Sequence, residues 1–147
     1  MQLQRSPIIA SLLALAFSAS AAAAAPAIRI GADNRVPACA SPEQLTAFLF
    51  DRNPGLDARF RDIAHWYRHW GEAWRVRWDY AFFQMIVETN ALKFRRADGR
   101  MGDVRAAQNN FAGIGATGGG VPGDRFPDVK TGVHAQIQHL VAYSGER

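Results

Sequence analysis

From Ser41 onward the chain is a series of short helical stripes separated by breakers. "SPEQLTAFLF" opens with Ser41 at an N-cap position, Pro42 in the first turn and Gln44 where a capping box needs its second partner. Leu45, Phe48 and Leu49 share one side of that helix, and "RNPG" ends it. In "LDARFRDIAHWYRHWGEAWRVRW", Phe60, Ile63, Ala64 and Tyr67 make a second stripe, with Gly71 as the expected helix end. "WDYAFFQMIVETNALKF" is apolar on almost every face, the pattern of a helix buried at the centre of a domain. After Arg95 the periodicity stops. "RADGRMGDV" is turn-rich and a glycine tract follows it. "FPDVKTGVHAQIQHLVAYSG" then passes from an extended piece into a last helix, with Val133, Ile137, Leu140 and Val141 as its apolar face. The expectation is a mainly α (α+β) fold without internal repeats: a helical domain with a small glycine-rich β-hairpin lobe inserted before the last helix.

The N-terminal stretch "MQLQRSPIIASLLALAFSASAAAAAPA" has one arginine, then an apolar run, then small residues. That order predicts a signal peptide over residues 1–27 and a periplasmic or secreted product. No second apolar span of about 18 residues follows, so no stable membrane anchor is expected after cleavage. Residues 28–41 carry Gly, Pro, Asn and Asp without periodicity and read as a flexible arm. Residues 42–147 remain for one small domain with one core.

Seventeen Lys and Arg stand against 13 Asp and Glu. The cations are scattered, without the stripe of a nucleic-acid-reading face, so no nucleic-acid partner is expected. A mild positive balance suits adhesion to an anionic polymer such as cell wall. With Cys39 alone, no intrachain disulfide can form. "VPAC" has the look of an acylation box, but Arg29, Asp33 and Arg35 separate it from the apolar run, which leaves a free thiol as the reading. His65 and His69 have a metal-capable spacing, yet no Glu follows His65, and "HWYRHW" reads as aromatic packing. No metal and no cofactor is expected. His134 and His139 fall on different helix faces and are expected at solvent. Trp66, Trp70, Trp74 and Trp78 recur every four residues, which suits packing between helices.

Two features carry candidate chemistry. "QNNFAGIGATGGGVPGD" holds a literal G-x-G-x-x-G in Gly113, Gly115 and Gly118. A phosphate cradle would need a helix opening inside the motif, and "GGGVPGD" cannot open one; Asp124 also stands after Gly123, where a phosphate loop has lysine. The glycines fit a hairpin floor better, where a bulky ligand lies against bare backbone. The second feature is Glu88. At about 100° per residue it shares a strip with Arg77, Ala81, Gln84 and Ala91. Two readings stay open for it: a helix-end residue reaching water, or an acid kept protonated by apolar walls and able to protonate a leaving oxygen.

Taken in order, these segments resemble the bacterial glucosaminidase family (glycoside hydrolase family 73), found in autolysins and flagellar wall-cutting domains. Gln84, Glu88 and Thr89 match its "Q-x-x-x-E-(S/T)" helix; Asn109, Asn110, Phe111, Gly113 and Ile114 match its "N-(N/L)-F-x-G-I". The likeness covers Pro42 to Tyr143. It implies a lysozyme-like fold and a monomeric, secreted enzyme acting on peptidoglycan glycan strands. Such an enzyme cuts the β-1,4 bond after N-acetylglucosamine, with Glu88 as general acid. It further implies a second carboxylate in the β-lobe, first Asp124, then Asp103 or Asp128, unless the sugar's own acetamido group serves. Gln84, Asn109, Asn110, Phe111, Gly113, Gly118 and Gly119 fall on the substrate side, and one or two tryptophans are free to stack on sugar rings. Two departures stand out. The β-lobe is short, and the chain stops at "AYSGER", where family domains continue through further helices; the domain is expected to be minimal or truncated. Two rivals follow, a lytic transglycosylase working with one Glu and a non-catalytic glycan-binding or scaffold protein. An amidase is suggested by association alone.

Overall fold

The computed structural model describes residues 27–145, so the expected signal peptide lies, but for Ala27, outside the described residues. Among the described residues four helices form: α1 (Pro42–Arg52), α2 (Ile63–Trp74), α3 (Trp78–Thr89) and α4 (Val129–Ser144), with single 3-10 turns at Ala58–Phe60 and Ala106–Gln108. The fold is mainly α. Among the described residues there is no strand, and pairing is limited to two isolated antiparallel bridges, Arg29 with Val76 and Arg95 with Met101.

The start of α1 is as its residues dictate. The Ser41 hydroxyl accepts from the Gln44 backbone N–H, and the Gln44 side chain accepts in return from the Ser41 backbone N–H, each at 3.3 Å. In α2 the expected end at Gly71 is not where the helix stops. It runs on to Trp74 and closes at Arg75 in the left-handed region (φ 54°). Gly71 serves a different purpose. A Cβ there would overlap the Cβ of Trp78, so the missing side chain lets the first turn of α3 cross α2 at close range.

Nor is α3 buried on every side. Ala81, Phe82 and Met85 are in the core, while Tyr80, Phe83 and Val87 face outward, Val87 with 78% of its surface exposed. Its first turn holds a buried ion pair, with Arg77 Nε and Nη2 donating to the two Asp79 carboxylate oxygens at 2.8 and 2.6 Å. The same guanidinium donates from Nη1 to Asn34 Oδ1 at 2.6 Å. Backbone bonds from Ile30 N–H to Arg75 O and from Arg77 N–H to Ile28 O add to this. The stretch read as a flexible arm is therefore tied to the α2–α3 junction. The residue types that broke its periodicity, such as Asn34, are the ones that anchor it.

The core gathers around Tyr67, with Phe60, Ile63, Phe82, Met85, Phe111 and Ile137 fully buried about it. Phe60 supplies the second stripe as read, though from the 3-10 turn ahead of α2. The tryptophans join α2 to its neighbours: Trp78 is buried, Trp70 Nε1 donates to Lys130 O at 3.1 Å, and Trp74 Nε1 donates to His134 Nε2 at 3.2 Å. Trp70 also stacks on the His134 ring, with centroids 3.9 Å apart. His134 is thus not a solvent residue, and burial pushes its imidazole below the ordinary value.

The expected hairpin lobe does not form. Residues 113–123 are short turns within irregular backbone, with positive φ at Gly113, Gly115, Gly118, Gly119, Gly120 and Gly123. So many left-handed positions in close succession cannot hold the extended backbone of a ladder.

Two measurements check this account. Gly71→Ala is expected to lose roughly 1–3 kcal/mol in urea unfolding, as overpacking at a tight crossing does; a glycine that merely ended a helix would lose little. For His134 the folded state favours the neutral ring, so its contribution is present above the unfolded value of 6.5 and lost as pH falls below it. The melting temperature should fall between about pH 7 and about pH 5. In His134→Gln, which keeps an acceptor for Trp74, that fall should be smaller.

Candidate functional site

The site begins where α3 ends. Thr89 is buried, and its hydroxyl donates to Met85 O at 2.7 Å while accepting from the Leu92 N–H at 2.8 Å. The chain then passes through Asn90, Ala91 and Leu92 with φ of 51°, 54° and 60°, and returns to the left-handed region at Phe94 (53°). None of these is glycine. Each such residue costs about 1–2 kcal/mol relative to right-handed backbone. The turn is held by Ala91 N–H on Ile86 O and Phe94 N–H on Thr89 O, both 2.8 Å, and by Asn53 Nδ2 on Ala91 O at 2.9 Å. Ala91, Leu92 and Phe94 are buried beneath it. Local strain of this kind clusters where a protein positions functional groups. Nothing in the local sequence announces it, because its support comes from elsewhere in the chain, from Asn53 on Ala91 O and from Phe60 packed on Phe94.

Beyond the turn, the Arg95–Met101 bridge closes a tight loop, with Arg96 N–H on Arg100 O and Gly102 N–H on Phe94 O. Between this loop, the end of α3 and the segment from Asn110 to Ala116 lies a cleft of about 510 Å³. Glu88, Thr89, Phe94, Arg95, Arg96 and Asp103 line one side of it, and Asn110, Gly113 and Ala116 also face it. Glu88 is exposed to this space and makes no hydrogen bond or ion pair among the described residues. Of its two sequence readings, a carboxyl reaching solvent describes the free protein. Asp103 is half-buried and engaged: Arg96 Nη2 donates to both of its oxygens at 3.2 Å.

The "QNNF" segment braces the lining segment from Asn110 to Ala116, although of its own residues Asn110 alone lines the cleft. Asn110 is almost fully buried; its Nδ2 donates to Ile114 O at 2.8 Å and to Asp124 O at 3.1 Å, while its Oδ1 accepts from the Ile114 N–H at 2.9 Å. Asn109 takes a left-handed φ of 50° and donates from Nδ2 to Phe126 O at 3.0 Å. Its carbonyl lies so close to Gly132 that a Cβ there would collide with it, which explains a glycine inside α4. Phe111 is a core residue, edge-on to Phe60 at 6.0 Å. Gln108, which sequence reasoning did not single out, spans the same loop by donating from Nε2 to Pro122 O at 2.5 Å. Its place directly before the two asparagines was the available signal.

Not every expected site residue comes to the cleft. Gln84 turns inward, accepting from Gln136 Nε2 at 2.9 Å. Asp124 is exposed and is not among the lining residues; its backbone N–H bonds Ile114 O at 2.8 Å. Asp128 caps α4 by accepting from the Thr131 N–H at 2.7 Å, and that bond holds its carboxyl below the usual range. Gly118 and Gly119 are also off the cleft, with φ of 80° and 64° and open space where a Cβ would stand. Among the described residues no cluster of His, Cys, Asp and Glu could hold a metal ion, and no helix is long and apolar enough to cross a membrane.

No family model and no solved structure matches the chain. The chain is similar to an uncharacterized protein of Borreliella burgdorferi, 36% identical over 106 residues, which are 71% of this chain and 49% of that protein. It spans about half the length of the curated relative it matches.

Asn110→Ala is expected to destabilise the fold by about 1–3 kcal/mol, since it removes a buried side chain and strips partners from part-buried backbone groups at Ile114 and Asp124. Hydrogen exchange should report it locally, as faster exchange at the Ile114 and Asp124 amides than in the α2–α4 core.

Proposed function

We propose that the protein is a secreted, lysozyme-like peptidoglycan hydrolase that cuts the β-1,4 bond after N-acetylglucosamine, with Glu88 as general acid. The observation that carries this reading is an unpartnered carboxylate, Glu88, on a cleft of about 510 Å³ that is also lined by the segment Asn110 braces. A cleft of this size accommodates sugar rings. The two sequence motifs of the resemblance both contribute to its lining, Glu88 and Thr89 from one and Asn110 and Gly113 from the other.

In this reading Glu88 gives its proton to the glycosidic oxygen as the bond breaks. Sugar seated in the cleft displaces water from around that carboxyl and supplies the enclosure that the helix end does not. Thr89 and the strained turn hold the end of α3, so that Glu88 keeps its place relative to the far wall. Asp103, rather than Asp124, becomes the first candidate for the second carboxylate, because it lines the same cleft.

One observation favours a second reading. Both Asp103 oxygens are taken by Arg96, which leaves Glu88 as the free acid of the cleft among the described residues. Single-carboxylate chemistry would then rely on the sugar itself, through its acetamido group or, in a lytic transglycosylase, its 6-hydroxyl.

Glu88→Gln keeps size and removes the transferable proton. It should cut sacculus clearing by about 10²–10⁴-fold with little change in melting temperature, and activity within about tenfold of wild type overturns the assignment. Mass spectrometry of the wild-type digest separates the chemistries: a reducing-end N-acetylglucosamine supports hydrolysis, and a 1,6-anhydro end supports the transglycosylase.

A further inference from the structure

The cleft carries a second group without a counter-ion. Arg95 and Arg96 are adjacent in sequence and both line the space beside Glu88, but their circumstances differ. Arg96 is neutralised by Asp103. Arg95 donates from Nη1 to the carbonyl of Gly99 at 3.1 Å and makes no ion pair with any described residue. That one bond uses one of five guanidinium N–H donors and leaves the positive charge uncompensated.

The backbone that presents Arg95 is firmly built. Asn90 Nδ2 donates to Arg95 O at 3.1 Å, which ties the residue to the left-handed turn after Glu88. The Arg95–Met101 bridge and the Gly99 N–H on Arg96 O at 2.9 Å close the loop on its other side. Glu88 and Arg95 are thus carried on two ends of one braced turn. A neutral oligosaccharide would use the carboxyl and leave the guanidinium without a partner. A glycan bearing a carboxylate near the bond to be cut would use both.

We propose that Arg95 is a specificity-determining residue, forming an anionic-substituent subsite that selects carboxylate-bearing glycan over neutral glycan. This inference rests on the glycan reading of the cleft. The planar guanidinium offers paired N–H donors that match a carboxylate, and the gain is electrostatic and sensitive to salt.

The test is equilibrium binding, which needs no turnover. The probes are a tetramer of N-acetylglucosamine and a tetrasaccharide in which alternate sugars carry a lactyl ether carboxylate. Wild type is expected to prefer the carboxylate-bearing sugar by roughly fivefold at low salt, the scale of a partly exposed ion pair. The preference should shrink at about 0.2 M salt. Arg95→Gln should bind the neutral tetramer as wild type does and lose the preference, and Arg95→Lys should regain part of it. Equal affinity of wild type for both sugars, or a preference that survives Arg95→Gln, overturns the subsite and leaves the glycan reading standing. Binding of neither sugar overturns the glycan reading, and the subsite with it.

Discussion

The packing of this domain depends on one buried polar knot. Gln136 on α4 is fully buried, and its side-chain carbonyl accepts from the hydroxyl of Tyr67 on α2. Its amide donates to Ala81 O at 3.0 Å and to Gln84 Oε1 at 2.9 Å, both on α3. Three helices therefore meet on one side chain. Burial holds the Tyr67 phenol well above its ordinary pKa, so it stays a proton donor. A buried network of this kind is tolerated because its members are satisfied; with one partner lost, the others would be left dry and unpaired. Apolar packing alone would let α4 slide or turn against α2 and α3, whereas the knot allows one register. That register sets Gly132 against Asn109 and so places the whole "QNNF" segment.

The two walls of the cleft are built by different means. On the Glu88 side the chain accepts three successive left-handed residues, with the cost offset by buried Ala91, Leu92 and Phe94 and by the amide of Asn53 from the end of α1. On the other side there is little regular structure, and side-chain amides replace ladder bonds: Gln108, Asn109 and Asn110 together bond carbonyls at Ile114, Pro122, Asp124 and Phe126. One wall stores strain and the other spends polar side chains. Both hold a non-repetitive backbone in one shape, as a binding surface requires. The charges differ in the same way, since Glu88 and Arg95 make no ion pair with a described residue while Asp103 and Arg96 satisfy each other.

Much of the helical plan could be read from the residues in order. The capping box at Ser41, the stripe from Phe60 to Tyr67 and the apolar face of α4 depend on local chemistry, and they formed as local chemistry requires. Glu88 and the "QNNF" segment could also be singled out by type and spacing. What sequence could not reveal was which polar side chain faces which space. Gln84 and Glu88 share a helical strip, yet one turns into the core knot and the other toward the cleft. Helical periodicity assigns a face to a side chain but does not say what stands opposite.

The glycines make the same point from the other direction. Gly71 read as a helix end and proved to be a crossing point, because Trp78 approaches from the next helix. The tract from Gly113 to Gly123 read as a hairpin, and its repeated positive φ makes it an irregular loop held from outside by Gln108 and Asn110. A glycine signals that a side chain would be in the way, or that φ must be positive, without saying which. The sequence by itself determined the capping box that opens α1 and the faces that α1, α2 and α4 bury, since those follow from contacts a few residues apart, whereas the exposed side of α3 did not show in its residues. Only the tertiary structure decided the left-handed turn after Thr89, the pairing of Asp103 with Arg96 and the docking of residues 28–41, because the groups that compensate each come from distant parts of the chain or from a loop that the packed helices hold in place.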